Sequence, residues 1–515
     1  MTLKIKLQAQ LLSVFLCILS GCCNSAPKDA DIYTIEAPSD TLLFRQAPFE
    51  WHISPRFDYS KTLVLKLFLS DSKKLMDERG FRYADSGEQD IVIDFEQAME
   101  IIRRMDALTP GLHKIVYLVG WQYTGHDSKY PAFVEGNETL KRPCDRDALE
   151  SVRWIMSEAK NYNTTVSLHI NLVDVYLDSP LYDEYLREDV LCKDAEGKLY
   201  LCSWGNKVCY PAEWEKGMVQ KRLDSLCTIL PIAEAGTIHV DAFLSYVPGQ
   251  EPGGPMSLGH NYTHAQDIEA QQNIIKYLDD KGIDVTTEFI QRGADGKAFD
   301  GYFPMYYHFS DLDHALSLSA SQAACGDASP HFGDHGALLH VFGDNYAFEE
   351  VFRGHLKNHY PGDISSAMDE AFEEFKTRFC TSSLLFQYLN TFERKALITD
   401  KDRDKNDAIG VFEDGVRTHY KNGKMYVAKD GNILADGSDV FIPAVWLGDG
   451  SIVAFSENGY DGKVWSVPAG VKLSRNVKAW TLTTEGKREF TDFEIKGRQI
   501  TLSLAPGQMV LFSEN

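Results

Sequence analysis

The chain is short of basic residues. Its 515 residues carry 52 Lys and Arg against 75 Asp and Glu, a formal net charge of −23. A surface of that sign repels phosphate backbones, so nucleic acid is not expected as a partner. The acidity suits a neutral or basic partner, or simply solubility outside the cytoplasm. Cysteine is scarce as well, 10 in all, and no C-x-x-C pair occurs, so a cysteine zinc site is not expected. H-E-x-x-H, a Walker loop and a dinucleotide fingerprint are all missing, so neither a catalytic metal nor a cofactor is expected. A structural Ca²⁺ has no obvious place. "DKDRDKNDAIGV" at 400–411 imitates an EF-hand start, but Lys405 stands where the loop needs Gly and Val411 where it needs a bidentate Glu. The glycine-rich "GADGKAFDG" at 293 lies between two strand patterns, the wrong context for a phosphate loop. Past the N-terminus no apolar run reaches the roughly 18 residues of a spanning helix.

What is present begins with an export pattern. Lys4 and Lys6 precede "LLSVFLCILSGC", an apolar run too short to span but right for a signal-peptide core. Its end, "LSGC", resembles a bacterial lipobox, which implies lipidation at Cys22. The expected protein is an exported lipoprotein of the cell envelope, facing the periplasm or the cell surface. It touches the membrane only through its anchor. Residues 1–22 are then the signal, and 23–60 a tether with N-terminal strands. Export permits disulfides, and the clustered Cys192, Cys202 and Cys209 are candidates for one bridge.

Eight β-leaning apolar runs follow: "LVLKLFLS" at 63, "KIVYLVG" at 114, "TTVSLHINLV" at 164, "TIHVDAFLS" at 237, "DVTTEFI" at 284, "GYFPMYYHF" at 301, "GALLHVFG" at 336 and "SLLFQYLNTF" at 383. Helical patterns such as "DFEQAMEIIRRMDAL" and "DIEAQQNIIKYLDDKG" lie between most of them. Strands alternating with helices predict a parallel sheet, and eight of them an α/β fold, a (β/α)8 TIM-like barrel over residues 61–395. "KDRDKND" marks a charged linker, 396–407. Short strands punctuated by "KNGK", "DGN", "DGS" and "GDGS" predict a C-terminal all-β sandwich domain at 408–515.

In a barrel the working residues sit at the C-terminal ends of the strands. Two runs end on an acid: "TIHVDAF" on Asp241 and "DVTTEF" on Glu288. Acids among apolar neighbours are costly unless used or paired. Two on neighbouring strands fit glycoside hydrolysis, one ionised as nucleophile and one protonated to assist the leaving oxygen. Alternatively they only cap loops. "SLHINLVDVY" adds His169, Asn171 and Asp174; the strand period turns His169 and Asn171 to one face. A lone strand histidine is more often core, but a His–Asn pair at a strand end more often lines a site. Aromatics near strand ends, Trp121 and Trp204 among them, suit the flat faces of sugar rings. His126 and Asp127 in "VGWQYTGHDSKYP" suit sugar hydroxyls.

Together these motifs resemble glycoside hydrolase family 101, the endo-α-N-acetylgalactosaminidases. "VGWQYTGHDSKYP" looks like that family's GxxxGHDSxxP signature. "LHINLVDVY" is similar to its HxNxxExY stretch, with Asp174 in place of Glu, and "IHVDAF" and "TTEF" resemble its nucleophile and acid/base strands. The resemblance covers roughly residues 60–395. It implies Asp241 as nucleophile, Glu288 as acid/base, and His126, Asp127 and Asn171 as holders of the −1 sugar. It also implies a retaining enzyme acting on α-linked GalNAc of mucin-type O-glycans or O-glycoproteins. Alternatives are an exo-acting α-N-acetylgalactosaminidase or α-galactosidase, since the Gly/Pro-rich insert at 246–264 would reshape the rim. A non-catalytic glycan-binding lipoprotein and a hydrolase of unrelated substrates, such as α-glucans, are the others.

Overall fold

The computed structural model describes residues 41–43, 53–243, 256–289, 302–308, 340–343, 348–399, 407–468, 471 and 477–514. The signal segment, Cys22 and most of 23–60 lie outside the described residues, as do 246–255 of the Gly/Pro-rich insert and 400–406 of the EF-hand-like stretch.

Six of the expected barrel strands form: β1 (Leu63–Phe68), β2 (Lys114–Val119), β3 (Thr164–Asn171), β4 (Thr237–Asp241), β5 (Asp284–Phe289) and β6 (Tyr302–His308). They pair in chain order, each parallel to the next. Every residue of β1 and β2 is buried, which is why these runs read as continuously apolar rather than alternating. The intervening helices start on side-chain caps. Asp94 and Gln97 form a capping box at α1 (Phe95–Leu108), Asp147 caps α2 (Ala148–Glu158), and Thr263 and Gln266 form a second box at a long helix, His264–Asp279. The helical pattern "WEKGMVQKRLDSLCTIL" at 214–230 is interrupted at Gly217, φ +67°, which separates Tyr210–Glu215 from Met218–Ile229.

The sheet is strongly curled. Lys66 on β1 and Glu288 on β5 are four strands apart, about 19 Å in a flat sheet at about 4.8 Å per strand. Their side chains meet at 2.8 Å. Phe303 of β6 shares one buried cluster with Val64 of β1 and Ile115 and Tyr117 of β2, so the curled sheet encloses a packed interior.

Two expectations fail. "SLLFQYLNTF" is no eighth strand: Ser365–Arg378 and a π-turn at Phe379–Ser383 run on into a helix, Leu384–Leu389. All six residues of that last helix are buried, and an all-apolar run cannot by itself distinguish a buried strand from a buried helix. Of the seventh run, 336–339 lie outside the described residues, and His340–Phe342 is a 3₁₀ turn.

The C-terminal β domain is present as antiparallel sheets. Its main sheet has eleven strands and begins earlier than the expected boundary. Arg394–Thr399, which straddles the end of the predicted barrel and the start of the predicted linker, pairs with Asp407–Phe412, and Thr41–Leu43 adds at the edge. A three-stranded sheet packs on it through Phe441, Trp465, Ile500, Leu502, Val510 and Phe512. The β domain shares one core with the barrel, and Trp446 donates its indole N–H to the carbonyl of Pro110 at 3.1 Å. No described helix is long and apolar enough to cross a membrane. Cys144, Cys192, Cys202, Cys209, Cys227 and Cys380 are free thiols, so the bridge expected among Cys192, Cys202 and Cys209 does not form.

Candidate active site

Strand register assembles the site. Asp241 of β4 lies opposite Asn171 of β3, and His239 opposite His169. On the other side Val240 pairs with Thr287, so the next step of the ladder sets Asp241 beside Glu288. Register and the strand period set the two carboxyls on the same face of adjacent strands. Asn171 Nδ2 lies 3.4 Å from Asp241 Oδ2 and donates to Asp174 Oδ2 at 2.8 Å, while its Oδ1 accepts from the backbone N–H groups of Val173 and Asp174. The amide is thereby fixed with its N–H₂ toward Asp241.

The loop after β2 closes over this row, and the backbone explains its glycines. Gly120 has φ +76°, and a Cβ there would stand 2.0 Å from the Ser70 carbonyl oxygen; at Gly125, φ +117°, it would stand 2.8 Å away. The same carbonyl accepts the N–H of His126 at 2.8 Å. The serine of the GHDS stretch is an anchor. Ser128 Oγ donates to Asp85 Oδ2 at 2.5 Å, and Asp85 also accepts from Ser72 and Thr124 and pairs with Lys74 at 3.0 Å. Asp85 belongs to a hairpin, Ser70–Met76 with Arg82–Ile91. So held, His126 Nε2 reaches 3.9 Å from Asp241 Oδ2 and 3.4 Å from Asp127 Oδ1. Asp127 is 3% exposed, and its Oδ1 has no hydrogen-bond partner in the protein.

Electrostatics separate the groups. Burial pushes both acids above the ordinary carboxyl range; the neighbouring Asp241 charge adds to the rise of Glu288, while the Lys66 ammonium opposes the rise of both. Burial, then the charges of Asp241 and Asp174, push Asp127 well up. Burial carries His169 down to about 3 and His126 well below its usual value, with nearby cations adding to both, so the imidazoles are neutral. They line Asp241 without cancelling its charge.

Several expected sugar contacts are supports. Trp121 is 0% exposed and donates its indole N–H to the backbone carbonyl of His169 at 3.1 Å. Its aromatic bulk belongs to the core, where a strand-end tryptophan and a pocket tryptophan look alike in sequence. Asp174 is buried between Asn171 and Lys207 and positions Asn171. Trp204 is 40% exposed, and the Arg82 guanidinium stacks 3.6 Å from its ring, so it stands at the surface away from the carboxyl pair's direct contacts.

The sequence reading missed Lys66. It is 2% exposed, donates to Glu288 Oε1 at 2.8 Å and lies 3.7 Å from Glu349. The only signal was a lysine inside "LVLKLF", a position where an unpaired ammonium is prohibitive. Asp85 was missed too, because the hairpin that carries it is remote in sequence from the loop it anchors.

Residues 90–303 match the family model described as endo-alpha-N-acetylgalactosaminidase. This stretch is similar to glycoside hydrolase family 101. Asp241, Glu288, His126, Asp127, His169 and Asn171 all fall within it. Among solved structures, the chain is similar to the ligand-free alpha-N-acetylgalactosaminidase NagBb from Bifidobacterium bifidum, with 14% identity and a TM-score of 0.47, covering 72% of this chain and 57% of that one. The same enzyme in its Gal-NHAc-DNJ complex matches with a TM-score of 0.45, 14% identity, 72% of this chain and 58% of that one. An alpha-amylase from Geobacillus thermoleovorans, complexed with acarbose, matches at 8% identity and a TM-score of 0.38 over 89% of this chain and 98% of that one. The chain spans a little over half the length of NagBb.

Proposed function

We propose that the chain is a retaining hydrolase of α-linked GalNAc in mucin-type O-glycans. The observation that carries this reading is the carboxyl pair. Asp241 and Glu288 sit on adjacent strand ends and face the same pocket, an arrangement that suits the close carboxyl spacing of double displacement. Asp241 attacks the anomeric carbon as Glu288 gives its proton to the departing glycosidic oxygen. Glu288, now ionised, takes a proton from water, which displaces Asp241. Asp127 Oδ1, buried and unpartnered, binds a sugar hydroxyl. Neutral His126 and His169 complete the polar wall. The GalNAc assignment is supported by the description of the matching family. The lipobox at 19–22 supports an envelope lipoprotein anchored through Cys22.

The test is product analysis on aryl α-glycosides of GalNAc, Gal and Gal-β-1,3-GalNAc, with Asp241→Asn alongside. Intact disaccharide released with retained configuration supports the endo reading. Monosaccharide alone keeps the chemistry and makes the enzyme exo-acting, with the 246–264 insert as the wall. Normal hydrolysis by Asp241→Asn defeats the mechanism.

A further inference from the structure

Two imidazoles and a carboxylate converge in the pocket. His169 Nε2 lies 3.5 Å, and His126 Nε2 3.9 Å, from the same oxygen, Asp241 Oδ2. The three donor atoms lie within 4.8 Å of one another, and among the described residues no other group of three or more His, Cys, Asp or Glu is so disposed. Donor atoms around a tetrahedral zinc ion, with bonds of about 2.0–2.1 Å, stand about 3.3 Å apart, so small inward movements of two imidazoles suffice. A magnesium-like octahedral ion asks for oxygen donors at about 2.9 Å from one another, which this trio does not offer.

A second observation points to a ligand. His169 is 2% exposed, yet neither ring nitrogen has a hydrogen-bond partner in the protein. Its ring is fixed in place. It stacks on His239 at 5.2 Å, and Trp121 holds its backbone carbonyl. The nearest ammonium groups are paired with acids, Lys66 with Glu288 and Glu349 and Lys74 with Asp85.

We infer that His126, His169 and Asp241 form a binding site for a zinc-like divalent transition-metal ion, which takes the place of the sugar and ties up Asp241. Water completes the tetrahedron, and no covalent step is involved. The effect on turnover rests on the proposed role of Asp241; the binding itself does not.

Full-length protein is titrated with Co²⁺, whose visible absorption reports tetrahedral coordination and whose near-ultraviolet charge-transfer band reports thiolate ligation. Zn²⁺ then displaces it. The expected result is one tetrahedral site without thiolate, with affinity lowered at least about tenfold both in His169→Ala and in the near-isosteric Asp241→Asn. His355→Ala controls for a surface pair, since His355 Nε2 lies 2.9 Å from Glu374, and is expected to bind as the parent does. Saturating Zn²⁺ is expected to cut hydrolysis of an aryl α-GalNAc glycoside at least about tenfold, reversibly with EDTA. An octahedral or thiolate spectrum, unchanged affinity in both site variants, or loss of the site in His355→Ala overturns the inference. Should the parent hydrolyse none of the glycosides, the cobalt spectra still decide the metal site, and that failure belongs to the functional reading alone.

Discussion

Replacing Lys66 by Met should move the pH profile of hydrolysis toward alkaline pH. The ammonium sits 2.8 Å from Glu288 Oε1 and opposes the burial that raises Glu288 and Asp241. At that distance, an effective dielectric of about 20 gives an attraction of about 6 kcal/mol. Glu288 is 21% exposed, so solvent at the pocket mouth reduces it, and an opposite charge this near is ordinarily worth about one to three pH units. The active form has Asp241 ionised and Glu288 protonated. Activity is thus lost below the Asp241 pKa and above the Glu288 pKa. Without Lys66 both values rise, so both limbs of kcat/KM move upward, the Glu288 limb by about one to three units. Methionine keeps the stem's packing, and Lys66→Arg, which keeps the charge, should leave the limbs near their parent positions. The assay is kcat/KM on an aryl glycoside from pH 4 to 9, with circular dichroism at each pH to confirm the fold. A Lys66→Met enzyme that is folded and has both limbs unmoved refutes the reasoning.

Asp241→Asn should abolish turnover of every substrate, and added azide should restore formation of a glycosyl azide, detected by mass spectrometry; no rescue with an intact fold would count against nucleophilic attack. Asp85→Ala should lower stability by about 3–5 kcal/mol, because it strands the buried Lys74 ammonium and releases Ser72, Thr124 and Ser128. Denaturant unfolding checks it, and a loss under about 1 kcal/mol would mean the GHDS loop is anchored elsewhere. Gly120→Ala should prevent normal folding or displace the loop, given the 2.0 Å approach to the Ser70 carbonyl, whereas Gly423→Ala, with nothing near its Cβ, should cost only the strain of its positive φ. Thermal melts of the two variants separate these outcomes.

Much of the site was legible because barrel strands are buried on both faces. A polar residue at the end of such a run stands out against its neighbours, which is how Asp241, Glu288, His169 and Asn171 announce themselves. Residues that serve the site from within the core announce themselves less clearly. Trp121 and Asp174 look like sugar contacts by type and place, and only their partners, the His169 carbonyl and Lys207, reveal them as braces. Lys66 was passed over as part of a strand. The run at 383 was misread for a related reason: period is lost when every side of an element is buried, and Leu384–Leu389 carries none.

In the proposed mechanism, the placement of the buried Lys66 ammonium beside the acid, and not beside the nucleophile's sugar face, follows from what each carboxyl must do. Asp241 needs its negative charge once, for attack, and the groups facing it there are neutral imidazoles and an amide. Glu288 must change charge twice in a cycle. Burial and the neighbouring Asp241 charge favour its protonated form at rest, when a proton is to be given away. Once Asp241 is esterified that neighbouring charge is gone, and Lys66 at 2.8 Å then favours the carboxylate that must pull a proton from water. Opposed influences let a single carboxyl serve as acid and then as base. A site with only the burial term would give up its proton too reluctantly, and one with only the ammonium would hold none to give.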